Sequence, residues 1–434
     1  MRNKCFKILL KRFMIKYNTS IDVLCFENTS LVLIMANTNL GKAKAEKNDE
    51  FYTQYADIQN EINAYIDYNP DVFKDKTILL PCDDPEWSNF TKFFVNNFER
   101  YGLKKLISTS YAYNSKKVSF DYQPTLFETV DSRFEITKSK ERGKIFTLTK
   151  DENNDGKIDE KDLNWDYLDG DGDFRSDEIK KLRDEADIII TNPPFSLFRE
   201  FIAWIIESKK QFVVIGNMNA ISYKEIFPYI KKNKIWYGSS ISSGDREFGV
   251  PDTYPLTAAG FRIDEKGKKF IRIKGVRWFT NIEHGKRHQP LKLMTEADNI
   301  KFSKHKEVKN QGYLKYDNYD AIEIPFTDSI PSNYGGLMGV PISFLDKYCP
   351  EQFEIIGLLQ SSTDEQAGTP NLRYYNDFKE MRQDMTYTGS SGGKANGNPV
   401  LKGKSEKGNF LYNPITEEYV HSVYARILIR HKEN

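Results

Sequence analysis

Cysteine is scarce in this chain of 434 residues: Cys5, Cys25, Cys82 and Cys349 are the only four, with no CxxC pair and no zinc-ligand spacing. That excludes a disulfide scaffold and fits a reducing compartment, so a cytoplasmic protein is expected. Long apolar runs are missing as well. The N-terminal run Leu31-Val32-Leu33-Ile34 is too short to span a membrane, and no small-residue cleavage site follows an apolar core. Neither a membrane partner nor a signal peptide is expected. Residues 1–34 read as a non-native or disordered extension with Met35 as the start, an expectation that the intact mass of natively expressed protein tests. Net charge is nearly absent, +1 at pH 7. The total hides two opposed blocks: Asp151 to Asp187 has 15 acidic and 6 basic residues, and Phe261 to Tyr316 has 15 basic and 6 acidic. A basic block of that length can neutralise phosphates, though two solvated faces would give the same total.

Aromatic residues are plentiful at 14%, enough for a sizeable core. Apolar spacing predicts a helix over Tyr55 to Tyr68 and another from Trp87 to Tyr101, stopped by Gly102. Short buried-type strands are expected at Thr77 to Leu80, Leu106-Ile107, Asp187 to Thr191 and Phe212 to Ile215, with helices at Asp177 to Glu185 and Leu197 to Ser208. Strands and turns are expected over Val118 to Lys150. This alternation predicts an α/β sheet with helices on both faces. After about Tyr237 helical periodicity fades. A domain of residues 35–236, with an acidic insertion at 151–175, is therefore expected to precede a second region, 237–434. The latter includes a mobile loop from Met385 to Asn409 and a closing apolar strand, Tyr424 to Ile429, that returns to the core.

Asn192-Pro193-Pro194-Phe195 directly follows the strand ending at Thr191. The residue types suit one chemistry. An adenine amino nitrogen is a poor nucleophile because its lone pair is delocalised into the ring. A side-chain amide oxygen from Asn192 and a rigid backbone carbonyl from Pro193, held by Pro194, can accept its two hydrogens and free that lone pair. Phe195 offers a face on which an extruded base can stack. With a sulfonium methyl donor no catalytic metal is required, since the donor already carries a good leaving group. A strand-terminating turn that happens to hold two prolines is the plain alternative; its place at the C-terminal edge of an α/β strand favours a ligand site.

Further motifs occur in a fixed order: Asn48-Asp49-Glu50-Phe51-Tyr52-Thr53, Cys82-Asp83-Asp84-Pro85-Glu86-Trp87-Ser88-Asn89-Phe90, Gly170-Asp171-Gly172-Asp173-Phe174-Arg175-Ser176, Val276-Arg277-Trp278-Phe279-Thr280-Asn281 and Met338-Gly339-Val340-Pro341. With them, Lys47 to Arg430 resembles the EcoRI-type family of adenine-specific DNA methyltransferases. The resemblance implies a Rossmann-like domain that uses S-adenosylmethionine and a C-terminal target-recognition region. It implies methylation of N6 of an adenine flipped out of double-stranded DNA, in a restriction-modification setting. The chain would act as a monomer, with any cognate endonuclease acting separately. It places Asn192, Pro193, Pro194 and Phe195 as the catalytic group and Phe51, Tyr52, Thr53, Asp83, Asp84, Pro85, Ser88, Asp171 and Asp173 around the cofactor. Two departures stand out. No glycine-rich loop follows the first strand, and Ser108-Thr109-Ser110-Tyr111 stands where an acid would close the second, which leaves the ribose contact unassigned.

Several residues carry simpler alternatives. Thr53 could cap the helix from Tyr55, and Asp83 with Asp84 could be a turn and a helix cap. The acidic turn at Asp171 and Asp173 could be solvated. Asp151, Asn153, Asp155, Asp159 and Asp162 fall at calcium-loop positions 1, 3, 5, 9 and 12 with Gly156 at 6, but the last is Asp in place of the longer Glu, and no flanking helix pair is visible. In the basic block Arg272, Lys274, Arg277, Lys286 and Arg287 are the candidate DNA contacts, and His284 with His288 are expected at the surface or on phosphate. Lysines in the 385–409 loop could order on DNA. A methyltransferase of RNA or protein glutamine, and a non-catalytic DNA-binding relative, are the competing readings.

Overall fold

Strands buried on both faces read as unbroken apolar runs, and the runs here assemble side by side. The computed structural model describes residues 51–83, 88–112, 134–242, 245–250, 260–360 and 366–432. Its largest sheet has eight strands. Four are parallel and central, in the order β2 (Lys105–Ser110), β1 (Thr77–Leu80), β5 (Ile188–Thr191) and β6 (Gln211–Asn217). Beyond β2, β3 (Lys144–Leu148) and β4 (Asn164–Tyr167) continue antiparallel. Beyond β6, β11 (Val276–Thr280) runs antiparallel and carries the short β7 (Trp236–Tyr237) at its outer edge.

Alternate residues of the strands enter two separate cores. Ile78, Leu80, Ile188, Ile190, Val213 and Ile215 lie with Ile58, Ile62, Phe90, Phe93 and Phe94 of helices α1 (Tyr55–Tyr68) and α2 (Asn89–Asn96). Leu79, Ile107, Ile189, Phe212 and Val214 lie with residues of two further helices on the other face: Ile179 of Asp177–Glu185, and Phe198, Phe201 and Ile205 of Phe198–Ser208. Helices thus cover both faces. The mixed α/β class expected from the alternation is what the chain adopts. Among the described residues no helix is long and apolar enough to cross a membrane.

Local chemistry explains where elements depart from the apolar spacing. The helix expected up to Tyr101 breaks at Asn97, whose side-chain amide donates to the Phe93 carbonyl (2.8 Å) and competes with the helical ladder. It resumes for one turn and ends at Gly102 in the left-handed region (φ 61°). A short helix at Ile136–Glu141 and strand β4 leave no mark in the apolar pattern, because β4, Asn-Trp-Asp-Tyr, exposes alternate polar residues on an outer strand.

Three smaller sheets complete the described residues. One is β8 (Asp245–Val250), β10 (Lys269–Lys274) and β9 (Arg262–Ile263), with β10 central. In the second, the closing strand β20 (Arg426–His431) runs between β13 (Leu337–Pro341) and β14 (Phe353–Leu359), with β12 (Ala321–Glu323) outside β13. Ile427 and Ile429 of β20 join the same core as Phe201 and Phe212. The third comprises β15 (Lys379–Met381), β16 (Tyr387–Ser391), β17 (Val400–Lys402), β18 (Phe410–Tyr412) and β19 (Tyr419–Ser422). The segment expected as a loop, Met385 to Asn409, therefore contains β16, a helical turn at Gly392–Ala395, and β17. Its polar composition hid this. Ala395 and Val400 anchor it in a small core with Tyr375, Phe378, Leu411 and Val420. The expected extension, residues 1–34, lies outside the described residues.

Candidate active site

From β1 the sheet extends one way to β2 and the other way to β5, so strand order reverses between β1 and β5, where open sheets bind ligands at the carboxyl ends of the strands. Asp83 follows β1 and Asn192 follows β5. Asp83 is buried. Its carboxylate accepts from the Thr191 hydroxyl (2.7 Å) and the Ser88 hydroxyl (2.7 Å), and its backbone N–H donates to the Thr109 carbonyl (3.0 Å). The Ser108 hydroxyl donates to the Asp83 carbonyl. The residue expected to meet a cofactor ammonium thus ties the end of β1 to β5 through its carboxylate and to β2 through its backbone. Ser88 also caps α2 by accepting from the Phe90 N–H. Asp84 and Pro85 lie outside the described residues.

Asn192 is anchored by one end only. Its Nδ2 donates to the Phe51 carbonyl (2.6 Å), while its Oδ1 is buried with no hydrogen-bond partner among the described residues. A buried amide oxygen left unmatched costs about 1–3 kcal/mol, which marks a place where a donor is expected. Pro193 is buried, and after Pro194 (φ −52°, ψ 124°) the chain turns through Phe195–Leu197. The Phe195 ring meets Phe51 edge-on (centroids 5.5 Å) and Phe248 of β8 (6.3 Å), and Phe51 meets Phe248 (5.9 Å). Tyr52 pairs with Gly249 of β8 through both backbone bonds (2.8 and 2.9 Å). Thr53 is not the cap of α1, because the capping position belongs to Gln54, whose side chain makes no cap bond. The Thr53 Oγ1 is buried without a partner among the described residues, and its carbonyl accepts from Asn89 Nδ2 (2.7 Å).

The acidic turn sits against the end of β2. Ala112 N–H donates to the Asp171 carbonyl (2.8 Å), and Gly172, at φ 85°, lies so close that a Cβ there would stand 2.4 Å from the Ser110 carbonyl oxygen. The Asp173 carboxylate accepts a hydrogen bond from Tyr111, so a turn much later in the chain brings an acid to the end of β2. Burial alone would raise the Asp173 carboxyl, but hydrogen bonds from Arg175 and Tyr111 outweigh it and hold the group at about 2, below its ordinary 3.8. Burial, then the Asp173 contact, pushes the Tyr111 hydroxyl up. Because the folded group holds its proton less tightly, the unfolded chain protonates first as pH falls. The stabilisation is complete above the ordinary carboxylate range and is lost as pH falls toward about 2. Thermal melts across this window should show Asp173→Asn less stable than the parent at neutral pH, with the gap closing as acid is added.

The basic candidates separate into two groups. Arg272 and Lys274 are exposed on β10. Arg277 and Arg287 are buried, a correction to their expected contact with DNA: β11 is covered on both faces, so Arg277 is inside with the rest of that strand, and Arg287, in the turn Gly285–His288, is packed against Trp236. Arg277 makes a two-pronged pair with Asp346 (2.6 and 2.9 Å), and Arg287 pairs with Glu283 and lies over the Trp236 ring (3.9 Å). Lys286 donates to the Ser239 carbonyl (2.8 Å), and burial lowers its pKa. His284 is buried with Nε2 at the Tyr237 carbonyl, and His288 lies between Glu283 and Glu351, so His284 is not at the surface.

In the calcium-like loop the carboxylates turn onto backbone amides: Asp151 accepts from Asn154 and Gly156, Asp155 from Lys157, and Asp162 from Glu152, Asn153 and Asp159. Among the described residues no three His, Cys, Asp or Glu side chains converge as metal ligands.

Sequence reasoning missed Glu61. It is fully buried on α1 and accepts from Tyr65 (2.5 Å), from the Ser239 and Ser240 N–H groups (2.9 and 2.7 Å) and from the Ser240 hydroxyl (2.6 Å). The helix that follows the Phe51–Thr53 segment thereby holds the turn leading toward β8. The available signal was an acid among Ile58, Ile62 and Tyr65 on the apolar face of that helix.

Residues 39–432 match the family described as "Adenine-specific methyltransferase EcoRI". Among curated proteins, the Type II methyltransferase M.EcoRI of Escherichia coli is 42% identical over 320 residues, covering 74% of this chain and 89% of the relative. M.MgeORF184P of Mycoplasma genitalium is 37% identical over 325 residues (74% and 86%), and M.MpnI of Mycoplasma pneumoniae 34% over 321 (73% and 85%), both again Type II methyltransferases. No solved structure matches the chain.

Proposed function

Since the chain belongs to the EcoRI family of adenine-specific methyltransferases and is a site-specific DNA methyltransferase, we propose that it moves a methyl group from S-adenosylmethionine to N6 of an adenine flipped out of duplex DNA. The observation that carries this reading is the half-anchored Asn192 amide: Nδ2 fixed on the Phe51 carbonyl, Oδ1 buried and unmatched among the described residues. With its orientation set from one end, Oδ1 accepts one amino hydrogen of the base. The Pro193 carbonyl accepts the other, and the nitrogen lone pair is freed from the ring. Phe195, set among Phe51 and Phe248, supplies the apolar face for the base. Positioning and hydrogen-bond acceptance are the whole of the protein's contribution to the chemical step.

The parallel order β2-β1-β5-β6, reversing at β1, supports a Rossmann-like reading of a catalytic domain that takes in β11 from beyond residue 237, with the rest of 237–434 as the recognition region and Arg272 and Lys274 as exposed cations there. Two buried oxygens at the carboxyl edge that have no partner among the described residues, Thr53 Oγ1 and Asn192 Oδ1, fit a site built for a polar ligand. Phe51, Tyr52 and Thr53 would hold the methionine end of the cofactor, Asp83 would frame it through Ser88, and Asp171 and Asp173 would border its nucleoside. When bound, the cofactor supplies an activated sulfonium methyl. The enzyme would act as a monomer, apart from any cognate endonuclease. Incubation with radiolabelled S-adenosylmethionine and duplex DNA should yield label in N6-methyladenine at one sequence. Label entering RNA or a glutamine peptide but not duplex DNA would overturn the reading.

A further inference from the structure

The three-stranded sheet next to the site has two unlike faces. Antiparallel partners share a face, so Val250, Lys269 and Ile263 form one row and Phe248 and Ile271 the next. Phe248, Val250 and Ile271 are buried, and Phe248 touches both Phe51 and Phe195. That apolar face does not end where the protein covers it. On β9, Ile263 remains 49% exposed, and Phe261, two residues earlier, is 45% exposed. The other face carries Arg262, Phe270, Arg272 and Lys274; Arg262 is paired with Glu247 (2.6 Å) and lies over Phe270 (4.5 Å). The hairpin that joins β9 to β10 turns at Gly267 in the left-handed region (φ 79°).

Exposed apolar side chains on a short edge strand invite aggregation unless they have a partner. Here they continue the face that lines the candidate base slot, while the other face of the same sheet presents the exposed cations Arg272 and Lys274, which suit phosphates. We propose that Phe261 and Ile263 form an apolar wedge that enters the base stack of duplex DNA and fills the space left by the extruded adenine. The inference rests on the base-flipping reading above. Extrusion costs a few kcal/mol of stacking and pairing, and an apolar side chain that takes the vacated place lowers that cost. No bond is made or broken by these residues. Arg272 and Lys274, on the opposite face, engage the flanking backbone.

The test uses the double variant Phe261→Ala, Ile263→Ala, both positions being exposed and so dispensable for folding. Single-turnover methylation is measured on a matched duplex and on one whose target adenine faces an abasic site, and a separate duplex with 2-aminopurine in place of the target adenine reports extrusion. The expected result is a fall of about tenfold on the matched duplex, with a matching loss of 2-aminopurine fluorescence, and a nearly unchanged rate on the abasic duplex, where extrusion costs less. An equal fall on both substrates, or none on either, overturns the wedge. A larger sedimentation coefficient for the parent than for the variant, measured without DNA, would assign the patch to self-association and overturn it too. Asn192→Ala run in parallel separates the two ideas: it should fail on both duplexes yet keep the 2-aminopurine signal, and a parent enzyme that gives no such signal would remove the base-flipping reading itself.

Discussion

Asn192→Ala should lower single-turnover methyl transfer by about a thousandfold, in the range found when one preorganised hydrogen-bonding group is taken from a transition state. Duplex affinity should stay within about twofold, because the lost amide meets no phosphate. The geometry makes the effect specific. Only the Nδ2 end of Asn192 is engaged, on the Phe51 carbonyl, and the oxygen has no protein partner among the described residues. Removing it leaves the fold its Asp83–Thr191 and Tyr52–Gly249 links. Asn192→Asp is the sharper control. It keeps an acceptor but loses the donor to Phe51 and sets two oxygens against each other across 2.6 Å in the parent geometry. It should therefore retain little activity despite its similar shape. Turnover equal to the parent in Asn192→Ala would mean that the base is gripped elsewhere.

Legibility in the sequence followed the strength of local signals. The parallel strands were visible because burial on both faces makes Ile78–Leu80 and Ile188–Ile190 unbroken apolar runs, and α1 because Ile58, Ile62 and Tyr65 keep helical spacing. The Asn192 position was visible because a strand and a Pro-Pro turn adjoin it. What stayed hidden depends on residues far apart in the chain. Nothing local to Ser108–Tyr111 says that Tyr111 meets Asp173, or that Glu61 holds Ser239 and Ser240. Phe248 and Gly249 came to the site only through pairing with the Tyr52 segment. Nor does a count of basic residues distinguish a cation aimed at phosphate from one committed to a buried carboxylate.

Arg277 gives that last distinction its clearest test. It lies in the block of highest positive charge, yet both it and Asp346 have side chains only 5% exposed, and the guanidinium also donates to the Val276 and Ser242 carbonyls. Burial pushes the Asp346 carboxyl up in spite of Arg277, a sign that desolvation is severe there. Truncating one partner strands the other charge, so Arg277→Ala or Asp346→Ala should each cost about 3–5 kcal/mol in denaturant unfolding. Replacing both, Arg277→Met with Asp346→Leu, should recover much of that loss, since no lone charge remains buried. DNA binding supplies the second axis. Replacing Arg272 and Lys274 by Ala should flatten the dependence of log affinity on log salt by about one unit for each phosphate no longer neutralised. The Arg277→Met, Asp346→Leu pair should leave that slope alone. A change in slope with unchanged stability would return Arg277 to the DNA surface and would require β11 to open when the duplex binds.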